Sequence, residues 1–231
     1  MKVLIVQNHR VEDLGAFEGY LRTQGVDYFI HDAYENDNFP SINDYDAFII
    51  GGTPISVYDP KKPSWLKREI ASLAKAIQVG KPYLGVCGGG QILAKILGAE
   101  VRRNPVKEVG TYRVTLTSAG QVSPFFRGFP DQFCVFQFHG DTFDLPCGAE
   151  LLAEGKDCKN QAFSYGKTLA VQFHLEVSSK TAGKWVEEYE TWLDEFGKSK
   201  AQIVEECAKV ERQMRVLSDL LMENFLQAAK N

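Results

Sequence analysis

The sequence predicts an α/β fold: a doubly wound, mostly parallel sheet with helices on both faces, a small antiparallel addition and a long C-terminal helix. Four observations predict it. Short apolar runs alternate with longer amphipathic stretches through the N-terminal half, and a glycine-rich turn at 88–90 joins one such run to a helix-like segment. From residue 109 to 171 the pattern changes to short runs separated by turns, and the chain closes on a stretch, 199–230, with neither Pro nor Gly.

The elements follow in order. Residues 2–6 form an apolar run of buried-strand type, and 12–24 carry helical spacing. Further strands are expected at 26–30 and 47–50. Pro63 opens an amphipathic helix that reaches about residue 79, where Gly80 stops it. Residues 83–86 make the next strand. Strands alternating with helices imply a parallel sheet covered on both faces. Ligands in such sheets bind beyond the carboxyl ends of the strands. Short strands are then expected at 111–117, 133–138, 162–165 and 168–173, the last two joined by a tight turn at Tyr165-Gly166-Lys167.

In the terminal stretch, Ile203, Cys207, Val210, Met214, Leu217 and Leu221 recur at four- and three-residue steps, a heptad seam. Leu220, Phe225 and Leu226 widen the apolar face. Docking on its own domain is the expected use; pairing with a partner helix or a second copy, a homo-oligomer, is the alternative. The expected organisation is one domain at 1–196 and a helical extension at 197–231, with no internal repeat or low-complexity segment.

The 231 residues suffice for one large domain with a sizeable core. A net charge of −4 gives no basic footprint, so nucleic acid is not an expected partner. No apolar run reaches membrane-spanning length, so no membrane association is expected. The first residues turn polar too soon for a signal peptide. Five cysteines (Cys87, Cys134, Cys147, Cys158, Cys207) are odd in number and lack CxxC spacing, which speaks against a disulfide framework or a structural metal site. A cytoplasmic setting is expected.

The chemistry concentrates at Pro82-Tyr83-Leu84-Gly85-Val86-Cys87-Gly88-Gly89-Gly90-Gln91. A strand ends on a cysteine and turns into a helix, the elbow geometry that presents a nucleophile. At a helix N-terminus the dipole and unpaired N–H groups favour a thiolate. A thiol nucleophile needs a base, and the base needs an orienting partner. In Gln172-Phe173-His174-Leu175-Glu176, strand alternation places His174 and Glu176 on one side. Cys87, His174 and Glu176 are therefore the candidate triad. The Gly88 N–H, next to the nucleophile, is a candidate oxyanion donor.

These residues carry a resemblance. Gly85-x-Cys87-x-Gly89-x-Gln91 and Gln172-Phe173-His174-x-Glu176 resemble the two signatures of class I, triad-type glutamine amidotransferases. The segment 51–59 resembles their oxyanion loop, and 136–141, with His139-Gly140-Asp141, resembles the GMP-synthase-like branch. The four motifs stand in the right order across 1–196, and the subgroup most resembled is the stand-alone GMP-synthase-like glutaminase domain, with a flavodoxin-like sheet. The resemblance implies hydrolysis of the glutamine side-chain amide through a γ-glutamyl thioester on Cys87, giving glutamate and ammonia, with no metal or organic cofactor. It places a second oxyanion donor at Gly52. There the family's usual Gly-Gly-Pro reads Gly51-Gly52-Thr53-Pro54, one residue longer, so the donor is Gly52 or Thr53. It also points to Gln91, Phe138 and Gly140 as substrate-binding residues. His139 has no His-x-Glu partner and is read as structural or pocket-lining. Asp141 either reads the substrate amine or caps a turn.

The glycines at 88–90 belong to the elbow and no phosphate-cradling Gly-rich loop is found elsewhere, so ammonia would need an acceptor on a synthetase partner. The runner-up is a γ-glutamyl peptidase acting on glutathione-like compounds by the same thioester chemistry. A non-catalytic binding subunit is a third reading, opposed by the intact Cys87, His174 and Glu176.

Overall fold

The structure, a computed structural model, describes residues 1–191 and 197–230. β1 (Lys2–Gln7) lies between β2 (Asp27–Asp32) and β3 (Ala47–Ile50), with β4 (Tyr83–Val86) beyond β3 and β9 (Thr168–Val171) beyond β4, all paired in parallel. The sheet continues antiparallel through β8 (Asn160–Tyr165), β7 (Glu150–Glu154), β5 (Val101–Leu116) and β6 (Gln132–Phe143), to give nine strands among the described residues.

Strand periodicity sorts the helices onto the two faces. Val3 and Ile5 pack with Phe17 of α1 (Gly15–Thr23), Trp185 of α5 (Ser179–Glu188) and Leu221 of α6 (Lys200–Lys230). Their neighbours Leu4 and Val6 point the other way, to Leu66 of α2 (Ser64–Gln78) and Ile92 of α3 (Gly88–Ile96). A strand buried on both faces reads as a continuous apolar run, which is why β1, β3 and β4 are legible at once. Each such large side chain contributes about 1.5–3 kcal/mol by leaving water.

The structure departs from the sequence reading in four places. The first helix begins only at Gly15, which leaves Glu12 and Asp13 in the loop after β1. The antiparallel part is longer than its apolar runs suggest, because β5 and β6 form a 16- and a 12-residue ribbon whose exposed Arg102, Arg103 and Pro105 interrupt the alternation. β7 and α5, unforeseen in the sequence, complete the sheet and cover it; α4 (Ser118–Val122) is a short added turn. β9 ends at Val171, so His174 lies past the strand and forms an isolated antiparallel bridge with Phe136.

In α6, Ile203, Cys207, Met214, Leu217 and Leu221 are buried in the core shared with α1 and α5, and Val210 packs at its edge. Asn224 Nδ2 donates to the carbonyls of Phe125 and Arg127 at 3.1 and 2.9 Å, which pins the helix across the chain. The seam therefore docks on its own sheet. The boundary expected at Phe196 lies outside the described residues.

Candidate active site

β4 delivers Cys87 to the N-terminal end of α3. The Cys87 N–H donates to the Val171 carbonyl at 2.8 Å, and its own carbonyl accepts the Gln91 N–H at 3.0 Å. Between these anchors Cys87 takes φ 50° and ψ −109°, and it is the sole non-glycine residue with positive φ among the described residues. Such a conformation costs about 1–3 kcal/mol and is held only where its surroundings enforce it. The following glycines make the turn fit: a β-carbon on Gly88 would lie 2.6 Å from Thr53 Cγ2, and one on Gly89 would lie 2.2 Å from the Ile50 carbonyl oxygen. Gly88, Gly89 and Gly90 form the first turn of α3, where N–H groups lack intrahelical acceptors.

His174 enters from the segment after β9. Its backbone is clamped to β6 by two bonds, His174 N–H to Phe136 O at 2.8 Å and Phe136 N–H to His174 O at 3.1 Å. Its Nδ1 lies 2.5 Å from Glu176 Oε1, and both side chains are buried. The segment is not a strand, but Glu176 still reaches the imidazole because its second oxygen accepts the Leu175 N–H at 3.0 Å. The Trp185 ring stands edge-on to the imidazole with centroids 4.8 Å apart. Nε2 is buried and makes no full hydrogen bond among the described residues. Burial disfavours the imidazolium, but the Glu176 charge, with the adjacent Cys87, outweighs it and raises the His174 pKa to about 10.

A cleft of about 220 Å³ opens over Cys87 and is lined by Gln91, Phe138 and Gly140 among others. Gln91 Nε2 donates at 3.2 Å to both the Asp141 carbonyl and Gln172 Oε1, and Gln172 Nε2 lies 3.5 Å from Cys87 Sγ. The 51–54 loop folds against the elbow: the β-carbon position of Gly88 is 2.7 Å from Thr53 N and 3.3 Å from the Gly52 carbonyl carbon. Thr53 N is thus held beside Gly88, and Cys87 Cβ lies 3.8 Å from the position that a β-carbon on Gly52 would take. The Asp141 carboxylate accepts Ser56 Oγ at 2.5 Å and Tyr58 Oη at 3.3 Å, tying the loop to β6.

His139 has a partner that the sequence did not reveal. Its Nε2 lies 2.8 Å from Glu108 Oε2 and its Nδ1 2.9 Å from the Asp141 carbonyl, so both ring nitrogens are engaged. Glu108 comes from β5, just after a register shift that follows Arg103. Gln161 Nε2 also donates to Glu108 at 3.0 Å. Glu108, His139 and Cys158 hold N, O and S atoms within 4.8 Å of one another and are the set of that kind among the described residues. Cys158 Sγ itself lies 3.2 Å from Thr142 Oγ1, and burial pushes the Cys158 thiol up to about 12.

Three further residues belong to the cleft and carry no motif. Glu12, Trp185 and Tyr189 line it beside Cys87. Tyr189 Oη donates to Glu12 Oε1 at 2.5 Å, and Trp185 Nε1 donates to the Val11 carbonyl at 2.6 Å. Burial raises the Glu12 pKa above the ordinary carboxyl range, against smaller opposing effects of Tyr189 and His174.

Known proteins share this architecture. A glutamine amidotransferase of Thermotoga maritima superposes with a TM-score of 0.89 at 32% identity, covering 98% of each chain. A Salmonella typhimurium protein named glutamine amidotransferase-like protein YfeJ is 29% identical over 76% of each chain. The glutamine-hydrolysing GMP synthase of Aeropyrum pernix is 34% identical over 64% of this chain, and the match spans 27% of that enzyme's length. No helix among the described residues is long and apolar enough to cross a membrane. The sequence pattern of the family described as Glutamine amidotransferase class-I matches residues 16–191, from the first helix through the elbow, His174 and Tyr189. The chain therefore belongs to the class-I glutamine amidotransferases.

Proposed function

We propose that this protein hydrolyses the side-chain amide of glutamine, with Cys87 as nucleophile, His174 as acid–base and Glu176 as its orienting partner. The strained Cys87 elbow beside the buried His174–Glu176 pair carries the reading. Cys87 Sγ attacks the amide carbon. His174 holds the thiol proton and returns it to the departing nitrogen, the C–N bond breaks, and a γ-glutamyl thioester remains. His174 then takes a proton from water, which attacks the thioester and releases glutamate. Gly88 N–H and a second N–H from Gly52 or Thr53 face the developing oxyanion.

Gln91, Phe138 and Gly140 bind the amino-acid end of the substrate. Arg103 and Asp141 are opposite one another in the β5–β6 ladder, and both line the cleft. A cation and an anion side by side suit a zwitterionic head group. Ammonia goes to a synthetase partner; the relatives named glutamine-hydrolysing GMP synthases extend well beyond the matched stretch, which supports such an acceptor. The five cysteines are unpaired, which supports a reducing, cytoplasmic setting.

The experiment is glutamate release by the purified chain from glutamine, γ-glutamyl dipeptides and glutathione, with Cys87→Ala as blank. Turnover of glutamine above the blank is expected. Turnover confined to γ-glutamyl peptides would move the assignment to a peptidase, and identical rates in wild type and blank would remove Cys87 from the chemistry.

A further inference from the structure

The triad chemistry asks for hydrogen-bond donors around the reacting carbonyl, yet the cleft also holds an acceptor. Glu12, 8% exposed, lines the cleft with Cys87. Its Oε1 is occupied by the Tyr189 hydroxyl, while Oε2 makes no hydrogen bond among the described residues. Oε2 and Cys87 Cβ lie 2.6 and 3.8 Å from the single point that a β-carbon on Gly52 would occupy. A free carboxyl oxygen is thus held next to the nucleophile by a tyrosine that fixes its other half.

The surroundings define what that oxygen would receive. Phe138, Trp185 and Tyr189 line the same cleft, with ring centroids 5.9 Å apart for Phe138–Trp185 and 5.6 Å for Phe138–Tyr189. Trp185 also touches His174, the group that protonates the departing nitrogen. An acceptor among aromatic rings suits an N–H donor or an ammonium ion and opposes an anion.

We propose that Glu12, with Phe138, Trp185 and Tyr189, forms a receiving subsite for the departing amine, which selects ammonia and simple alkylamines over leaving groups that carry a carboxylate. The proposal rests on the Cys87 acyl-transfer reading and names its substrate class: γ-carboxamides and γ-glutamyl alkylamides, in preference to γ-glutamyl amino acids and glutathione. As the C–N bond of the tetrahedral intermediate breaks, nitrogen takes the proton from His174 Nε2 and leaves as a neutral amine. One N–H···O bond then joins it to Glu12 Oε2, and water protonates it after release. A leaving group with its own carboxylate would set that charge against Glu12.

The test has a binding arm and a turnover arm. Methylammonium chloride is titrated into the full chain at constant ionic strength, followed by calorimetry and tryptophan fluorescence, with sodium acetate as control. Saturable methylammonium binding is expected, weakened about ten- to hundredfold in Glu12→Gln, which retains an acceptor for Tyr189. No saturable binding to the wild type, or binding unchanged in Glu12→Gln, would overturn the subsite. In turnover, the wild type is expected to prefer γ-glutamylmethylamide to γ-glutamylglycine, with that preference reduced about tenfold in Glu12→Gln. An equal or reversed preference in the wild type would also overturn it. Methylammonium binding that depends on Glu12 in a chain releasing no glutamate would support the subsite and count against the Cys87 reading alone.

Discussion

Glu176 grips His174 with one oxygen and the intervening backbone with the other: Oε1 lies 2.5 Å from His174 Nδ1, and Oε2 accepts the Leu175 N–H at 3.0 Å. The imidazole is fixed in plane, and its Nε2 is left to Cys87. Burial alone would lower the His174 pKa, but Glu176 and Cys87 raise it to about 10, above the model-peptide value of 6.5. A base raised in the folded state contributes stability that is fully present below pH 6.5 and is lost as pH rises through about 10. In Glu176→Gln the largest raising effect is gone. The stability gap between wild type and variant is therefore expected to be widest near pH 6 and to narrow towards pH 10, with turnover lower on the order of 10²-fold. Denaturation midpoints and rates across pH read both.

Cys87 sits where glycine would be more comfortable, at φ 50°. Cys87→Gly and Cys87→Ala should both abolish turnover, yet the glycine variant should be the more stable of the two by about 1–3 kcal/mol. Equal unfolding free energies would show that the elbow stores no backbone strain.

Asp141 anchors the loop over the cleft through Ser56 and Tyr58. Asp141→Ala, which removes both of these hydrogen bonds, is expected to speed hydrogen exchange across 52–58 and to raise KM about tenfold or more. A changed kcat with unaltered exchange would point instead to direct contact with the reacting groups.

Much of this was legible in the sequence because the relevant signals are local. The strands Ala47–Ile50 and Tyr83–Val86 are read at their observed bounds, since a strand buried on both faces is an unbroken apolar run bounded by turn residues. The Cys87 elbow is equally local. The Glu108 partner of His139 was not legible: it arrives across an antiparallel ladder after a register shift, and no spacing in the chain records which residues a ladder sets opposite. Glu12 resembled the first turn of a helix and is a loop residue, brought to Cys87 only when β1, the 51–54 loop and α5 assemble. His174 was expected at the very end of a strand running over 168–173. It stands beyond the end of β9, and backbone bonds to Phe136 do the positioning that strand alternation was expected to do.

The long terminal helix completes the core of its own chain. Phe225 is fully buried and Val216 is 62% exposed on the same helix. Phe225→Ala should cost about 3–5 kcal/mol, from lost burial and the cavity left behind. Val216→Ala should stay within about 0.5 kcal/mol of wild type. Similar effects of the two, read by chemical denaturation, would contradict the docking of α6 on the sheet.

The most direct measurement of the central claim is intact-protein mass spectrometry of the chain after brief mixing with glutamine and acid quench, followed by peptide mapping. The account predicts a γ-glutamyl adduct on the peptide carrying Cys87, absent in Cys87→Ala and slower to form in His174→Asn. Glutamate release with no adduct on Cys87, or an adduct that survives in Cys87→Ala, would contradict it.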